Sequence, residues 1–342
     1  MKFIISLLIV ITGCRAPASA PEQKVMITAD TSSDKINGIS ITASRKVLQE
    51  DLLDTICAVS ANYICLLPFA FVPDNSARVI FNSGFQDWGE SPQGVADCIR
   101  MAHQYKLKVM VKPQLWIHQG KFTGELMFKN ESEWNAFEQD YTNYIFSFLN
   151  VAQEMQAEIF CVGTELESFV KHRPQYWTWL IDTARKSFDG KLTYAENWDC
   201  YNQFPLWEKL DYIGVSSYFP LSITLTASVE ELKRAWVQYV SELRRLADQK
   251  KKLVLFTEYG YRSIDACTSQ PWDAYSESPP NNLAQENAYT ALYETFWDKS
   301  WFSGGFSWKW FDANTHHDVP VETDYTPQGK PALKVLEQWY SR

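Results

Sequence analysis

Short apolar runs that stop at polar residues recur along this 342-residue chain, and between them lie stretches whose apolar residues return every three or four positions. The runs are Ile36 to Ile41, Tyr63 to Leu67, Lys108 to Gln114, Ile159 to Gly163, Leu192 to Glu196, Tyr212 to Ser216, Leu253 to Thr257 and Gly305 to Trp308. Leu48, Leu52 and Ile56 mark the first helical face. Val95, Ile99 and Ala102 mark the second, with Ser91-Pro92 as N-cap and first-turn proline. Trp134, Phe137, Tyr141, Ile145, Phe148 and Ala152 line a longer one. Further helices are expected at Trp177 to Phe188, Leu232 to Leu246, Leu283 to Trp297 and Pro331 to Trp339. Only the connection around Phe204 to Lys209 is brief and weakly helical. Strands alternating with helices build a parallel sheet. Eight of them over residues 36–342 predict a single (β/α)8 TIM barrel in the α/β class. A doubly wound open sheet is the alternative, but neither GxGxxG nor a Walker A turn is present.

The N-terminus reads differently. Met1-Lys2-Phe3 to Ile11 is one cation and an apolar run too short for the roughly 20 residues that cross a bilayer. A signal peptide over residues 1–13 fits, and Ile11-Thr12-Gly13-Cys14 resembles a bacterial lipobox, with Cys14 as the lipidation site. The alternative is a buried N-terminal strand with a chance cysteine. Residues 14–35, rich in Ala, Pro, Ser and Thr, look like a tether, which predicts a protein held at the cell envelope by its lipid. The six other cysteines form no CxxC pair, so buried thiols are expected, with room for one disulfide. No HExxH spacing occurs and His316 and His317 are adjacent, so neither metal nor cofactor is expected. A net charge of −9 repels polyphosphate and argues against a nucleic-acid partner.

In a barrel of this type the site lies at the carboxyl ends of the strands. The fourth run ends at Thr164-Glu165 and the seventh at Thr257-Glu258, so two carboxylates are expected to face each other across the mouth. Carboxyls about 5 to 5.5 Å apart are what a retaining glycosidase uses. Taken singly, either glutamate fits an ion-paired structural role equally well. In Val111-Lys112-Pro113-Gln114-Leu115-Trp116, a period of two puts Lys112, Gln114 and Trp116 on one face. An unpaired buried lysine is costly, so this face is expected to bind substrate. Aromatic residues make up 15% of the chain, with 14 tryptophans, and indoles suit the flat apolar faces of sugars.

Several motifs taken together resemble glycoside hydrolase clan A and, within it, family 113: Val162-Gly163-Thr164-Glu165-Leu166-Glu167, Phe256-Thr257-Glu258-Tyr259-Gly260, Gly304-Gly305-Phe306-Ser307-Trp308-Lys309-Trp310 and Tyr325-Thr326-Pro327-Gln328-Gly329-Lys330-Pro331-Ala332. The known members of that family are endo-acting β-1,4-mannanases. The resemblance implies Glu165 as general acid/base and Glu258 as nucleophile. It further implies Tyr218 as hydrogen-bond donor to the nucleophile and Trp308 as floor of the subsite before the cleaved bond, with Asn197 and Trp198 walling the cleft. Thr164 stands where most of the clan has an asparagine that binds the sugar 2-hydroxyl. Glu167 is expected as an ion-pair or rim residue, while Glu196 fits either substrate contact or structure. Trp88, Trp272 and Trp301 fit either a sugar platform or the core. Glu165 is expected to have the higher pKa of the pair.

These readings point to a retaining hydrolase of mannan or glucomannan, with a β-linked poly- or oligosaccharide as its partner. The alternatives are a hydrolase of xylan or β-glucan, and an anchored protein that captures glycans without cleaving them.

Overall fold

A computed structural model describes residues 35–74, 76–312 and 319–342. The expected signal peptide, Cys14 and all but the last residue of the tether lie outside the described residues, as do His316 and His317. Eight parallel strands close a barrel: β1 (Ile36–Ile41), β2 (Tyr63–Leu66), β3 (Lys108–Val111), β4 (Ile159–Thr164), β5 (Lys191–Asn197), β6 (Tyr212–Ser216), β7 (Leu253–Tyr259) and β8 (Phe302–Trp310). Around the ring they run in the order β1, β8, β7, β6, β5, β4, β3, β2. The helices are α1 (Glu50–Ala58), α2 (Pro92–Gln104), α3 (Glu131–Glu154), α4 (Glu167–His172), α5 (Pro174–Ser187), α6 (Val229–Lys250), α7 (Asn282–Phe296) and α8 (Pro331–Tyr340). Between β5 and β6 there is only a 3₁₀ turn, Trp207–Lys209.

The apolar runs are continuous because each strand is buried on both faces. One set of side chains, including Ile36, Cys65, Met110, Ile159, Leu255 and Phe306, comes from the strands alone and fills the barrel interior. The alternate set, such as Ile39, Ile64, Val109, Phe160, Leu192 and Val254, packs outward against Leu53, Ile99, Ile145, Ile181 and Leu292 of the helices. Full burial of each such side chain stabilises by about 1.5–3 kcal/mol. The helix starts follow local chemistry: Ser91 accepts from the Gly94 N–H at 2.9 Å, with Pro92 in the first turn. Asn130 accepts from Glu133 at 3.0 Å and Asn281 from Ala284 at 2.9 Å in the same way.

The third strand departs from expectation. It stops at Val111, because Pro113 has no N–H to continue the ladder. The chain then resumes as Gln114–Ile117, paired in parallel with Phe69–Val72 in a separate two-stranded sheet. The buried Tyr144 of α3 pins the start of each of these short strands, its hydroxyl bonding the carbonyls of Pro68 (2.6 Å) and Gln114 (2.9 Å). Cys57, Cys65, Cys98, Cys161, Cys200 and Cys267 are free thiols. Among the described residues no helix is long and apolar enough to cross a membrane, and no cluster of three or more His, Cys, Asp or Glu could hold a metal ion.

Candidate active site

Both glutamates are delivered by a break in strand register. On β7, Val215 of β6 faces Phe256, but the next residue, Ser216, faces Glu258, so Thr257 is an extra residue. Val254, Phe256 and Tyr259 lie in the outer core and Leu255 in the inner one. Thr257, beside Gly214, keeps the inward parity, and the bulge turns Glu258 inward after it. Were the pleat unbroken through Thr257, Glu258 would point into the helices.

Strand β4 does the same by other means. Cys161 pairs with Thr193 and Thr164 with Ala195, three steps against two. The surplus falls at Val162-Gly163. Val162 belongs to the outer core, and a Cβ on Gly163 would sit 2.6 Å from Trp177 and 2.9 Å from the Tyr141 hydroxyl, also outside. Two consecutive outward positions return Thr164 to the inside, where its hydroxyl donates to the Pro113 carbonyl at 3.3 Å. Glu165 then takes a left-handed φ of 51°, its N–H held by the Ala195 carbonyl at 2.8 Å. For a residue with a Cβ that conformation costs about 1–2 kcal/mol.

Glu258 is 5% exposed and surrounded by donors. The Lys112 ammonium, fully buried, forms an ion pair with Oε1, to which Gln114 Nε2 also donates at 2.6 Å. The Tyr218 hydroxyl donates to Oε2 at 2.7 Å. Of the expected face of Lys112, Gln114 and Trp116, the first two thus hold a carboxylate. The pleat breaks at Pro113, Lys112 and Gln114 converge on a carboxylate, and Trp116 stands on the second sheet opposite Phe71, 47% exposed. Burial alone would lower the Lys112 pKa, but the charge of Glu258 and the bond to it outweigh that, and the pKa ends above its ordinary value.

The surroundings of Glu165 are of opposite sign. Burial, followed by the charge of Glu258, pushes its pKa up to about 7, against the weaker pull of the Ser216 hydroxyl and of Lys112. Glu196 is buried too, on the outward side of β5 with Leu192 and Tyr194. It accepts from the Asn197 N–H at 3.0 Å, and burial drives its pKa to about 8, with Glu165, Glu167 and Asp199 adding to the rise. Glu167, expected as an ion-pair or rim residue, is half-buried and accepts from the Cys200 thiol at 3.1 Å, with no ion pair among the described residues.

The sequence profile of Glycoside Hydrolase Family 113 matches residues 44–330. The chain belongs to glycoside hydrolase family 113. No curated protein matches it. Among solved structures it is similar to a family 113 β-mannanase from Alicyclobacillus acidocaldarius in complex with ManMIm, at 23% identity, over 90% of this chain and 97% of that one, with a TM-score of 0.78. It is also similar to a family 113 β-1,4-mannanase captured as a complex, at 21% identity over 90% and 99% of the two chains, TM-score 0.77. A Faecalibacterium prausnitzii β-glucuronidase shares the fold at 13% identity, over 90% of this chain and 49% of that one, TM-score 0.60. At these identities the likeness shows the barrel fold.

Aromatic side chains rim the mouth of this family 113 barrel. Trp308, half-buried on β8, rests on the inner core, and Gly260 is required beside it, since a Cβ there would lie 2.3 Å from the Trp308 carbonyl. Asn197 closes β5 with its carboxamide accepting from the Trp198 N–H at 3.0 Å. The Trp198 ring stacks on Trp272 with centroids 5.2 Å apart and planes inclined by 16°. Trp301 is core, at 5% exposure. Sequence reasoning leaves Tyr325 unassigned beyond its motif. Its ring meets Tyr218 edge-on at 6.2 Å, and its hydroxyl donates to the Pro271 carbonyl at 2.6 Å.

Proposed function

We propose that this glycoside hydrolase is a retaining endo-β-1,4-mannanase, with Glu258 as nucleophile and Glu165 as general acid/base. The observation that carries the reading is the asymmetry of the two carboxyls. Three donors hold Glu258 as an aimed anion, while Glu165 keeps its proton to about pH 7. A Glu258 oxygen attacks the anomeric carbon as Glu165 gives its proton to the departing oxygen, so the C–O bond of the linkage breaks and a glycosyl ester forms. Glu165, now an anion, takes a proton from water, whose oxygen attacks the same carbon and releases Glu258. The two inversions return the original anomeric configuration.

Lys112, Gln114 and Tyr218 act here as positioning residues. Their bonds favour the ionised form of Glu258 and fix its orientation. Trp308 would floor the sugar that is attacked, with Asn197 and Trp198 as wall. Thr164 retains acceptor capacity for the sugar 2-hydroxyl, its donor being spent on Pro113. Trp116 is offered as a distal contact.

Release of reducing ends from mannan or glucomannan, with the β-anomer appearing first by NMR, is the expected result. Activity on xylan or β-glucan instead would move the substrate and leave the mechanism. Turnover unchanged in both Glu165→Ala and Glu258→Ala would favour a glycan-capturing protein. We further propose that the full chain is lipid-anchored through Cys14, on the strength of the motif ending there. Full-length protein should partition with membranes, and Cys14→Ser should release it.

A further inference from the structure

The segment following β7 is long, carries no helix until Asn282, and is tied down at many points. Ala266 donates to the Leu225 carbonyl and Leu221 to the Thr268 carbonyl, both at 2.8 Å. The buried Arg262 donates to the carbonyls of Thr323 (3.0 Å) and Ser276 (2.7 Å). Pro271 is gripped by the Tyr325 hydroxyl, whose ring touches the tyrosine that bonds Glu258. The residue after Pro271 is a tryptophan that this rigid loop leaves 44% exposed. One face of Trp272 is covered by Trp198, which leaves the ring edges and the flat face turned away from that stack for contact. An exposed indole fixed in place from several sides marks a contact surface rather than a packing leftover.

The strand order says which part of a ligand it would meet. Going from β4 to β7, β5 and β6 lie on one side of the mouth, and β8, β1, β2 and β3 on the other. Trp198 directly follows β5, whereas Trp308 stands on β8. The two indole surfaces therefore flank the line between Glu165 and Glu258 on opposite sides. A glycosidic bond cleaved on that line has one sugar on each side. With Trp308 under the sugar that is attacked, the other sugar falls on the side of the stacked pair.

We propose that Trp272, backed by Trp198, is the stacking platform for the hexose on the leaving-group side of the cleaved bond. The inference rests on the retaining-hydrolase reading and deepens it: Trp272 sets how strongly the enzyme prefers long β-linked chains. The test compares two substrates in wild type, Trp272→Ala and Trp272→Phe. One is mannohexaose, and the other is β-mannobiosyl fluoride, whose leaving group is a single atom that reaches no platform. Trp272→Ala should lose about tenfold or more in kcat/KM on mannohexaose and less than about threefold on the fluoride, with Phe recovering most of the loss. Equal losses on both substrates, or an alanine variant matching wild type on mannohexaose, would overturn the platform while leaving the hydrolase intact. If wild type prefers xylan or β-glucan, the same ratio is read on the corresponding oligomer and fluoride. A wild-type chain releasing reducing ends from none of these glycans overturns the functional reading, and the platform with it.

Discussion

Glu258 and Glu165 are the same amino acid at the same level of one barrel, both turned inward by a local bulge, yet their surroundings have opposite character. Around Glu258 stand an ammonium, a carboxamide and a phenol, all donating. Glu165 is set apart by burial and by the charges of Glu258 and Asp199, with only the Ser216 hydroxyl and Lys112 pulling the other way, and its pKa rises to about 7. What separates the two roles is the neighbourhood that each strand end supplies. The low dielectric of the interior strengthens the donors' hold on one anion and penalises the other. The asymmetry on which the proposed division of labour rests is thus present before any substrate arrives.

The largest effects should come from removing either partner. Glu258→Ala is expected to lower kcat by roughly 10⁴-fold or more, as when a covalent step is broken. Glu165→Gln should cost about 10²–10⁴-fold on a polysaccharide. In the proposed role Glu165 must be protonated to assist departure, so the wild-type rate should fall above about pH 7, and that limb should vanish in the glutamine variant. Mannan assays across pH 4–9 check both. A limb that survives in Glu165→Gln would break the comparison, since the proton would then come from elsewhere.

Lys112→Met comes next. Removing the cation leaves a buried carboxylate without its ion pair and with one fewer donor to aim it, so kcat should fall by roughly 10- to 100-fold. Loss of one member of a buried pair also costs about 3–5 kcal/mol of stability, visible in a thermal melt. A lower melting temperature with an unchanged kcat would show that Lys112 serves the fold and not the anion.

Much of this is legible in the chain. Apolar runs alternating with helical faces spell out the barrel, since each feature is local and repeated, and the carboxylate at the end of two runs marks the site. The bulges are not legible, because an extra residue shows only against its neighbour's register, and Val162-Gly163-Thr164 reads like any strand end. Lys112 is recognisable as too costly to bury alone, but its partner lies 146 residues away, so the pair appears only when the ring closes. The passage of Gln114 and Trp116 into a second sheet is not legible either, since the partner strand Phe69–Val72 lies more than 40 residues upstream. Glu196 fits two roles in the sequence, and pleat decides between them: it pairs with Val215 of the outer core and alternates outward with Tyr194.

That outward glutamate offers the smallest effect and the sharpest control. Burial raises the Glu196 pKa to about 8, well above its value in an unfolded chain. The folded state therefore binds the proton more tightly than the unfolded one, so stability is lost as pH climbs from about 4.5 toward 8. Glu196→Gln keeps the shape and removes the ionisation. Its melting temperature should match wild type near pH 4.5 and exceed it by a few °C at pH 8. Activity on mannan should change far less than in Glu165→Gln, because the side chain faces the helices. If Glu196→Gln instead abolished turnover, a third carboxyl would belong to the chemistry, and two glutamates would no longer suffice to describe the site.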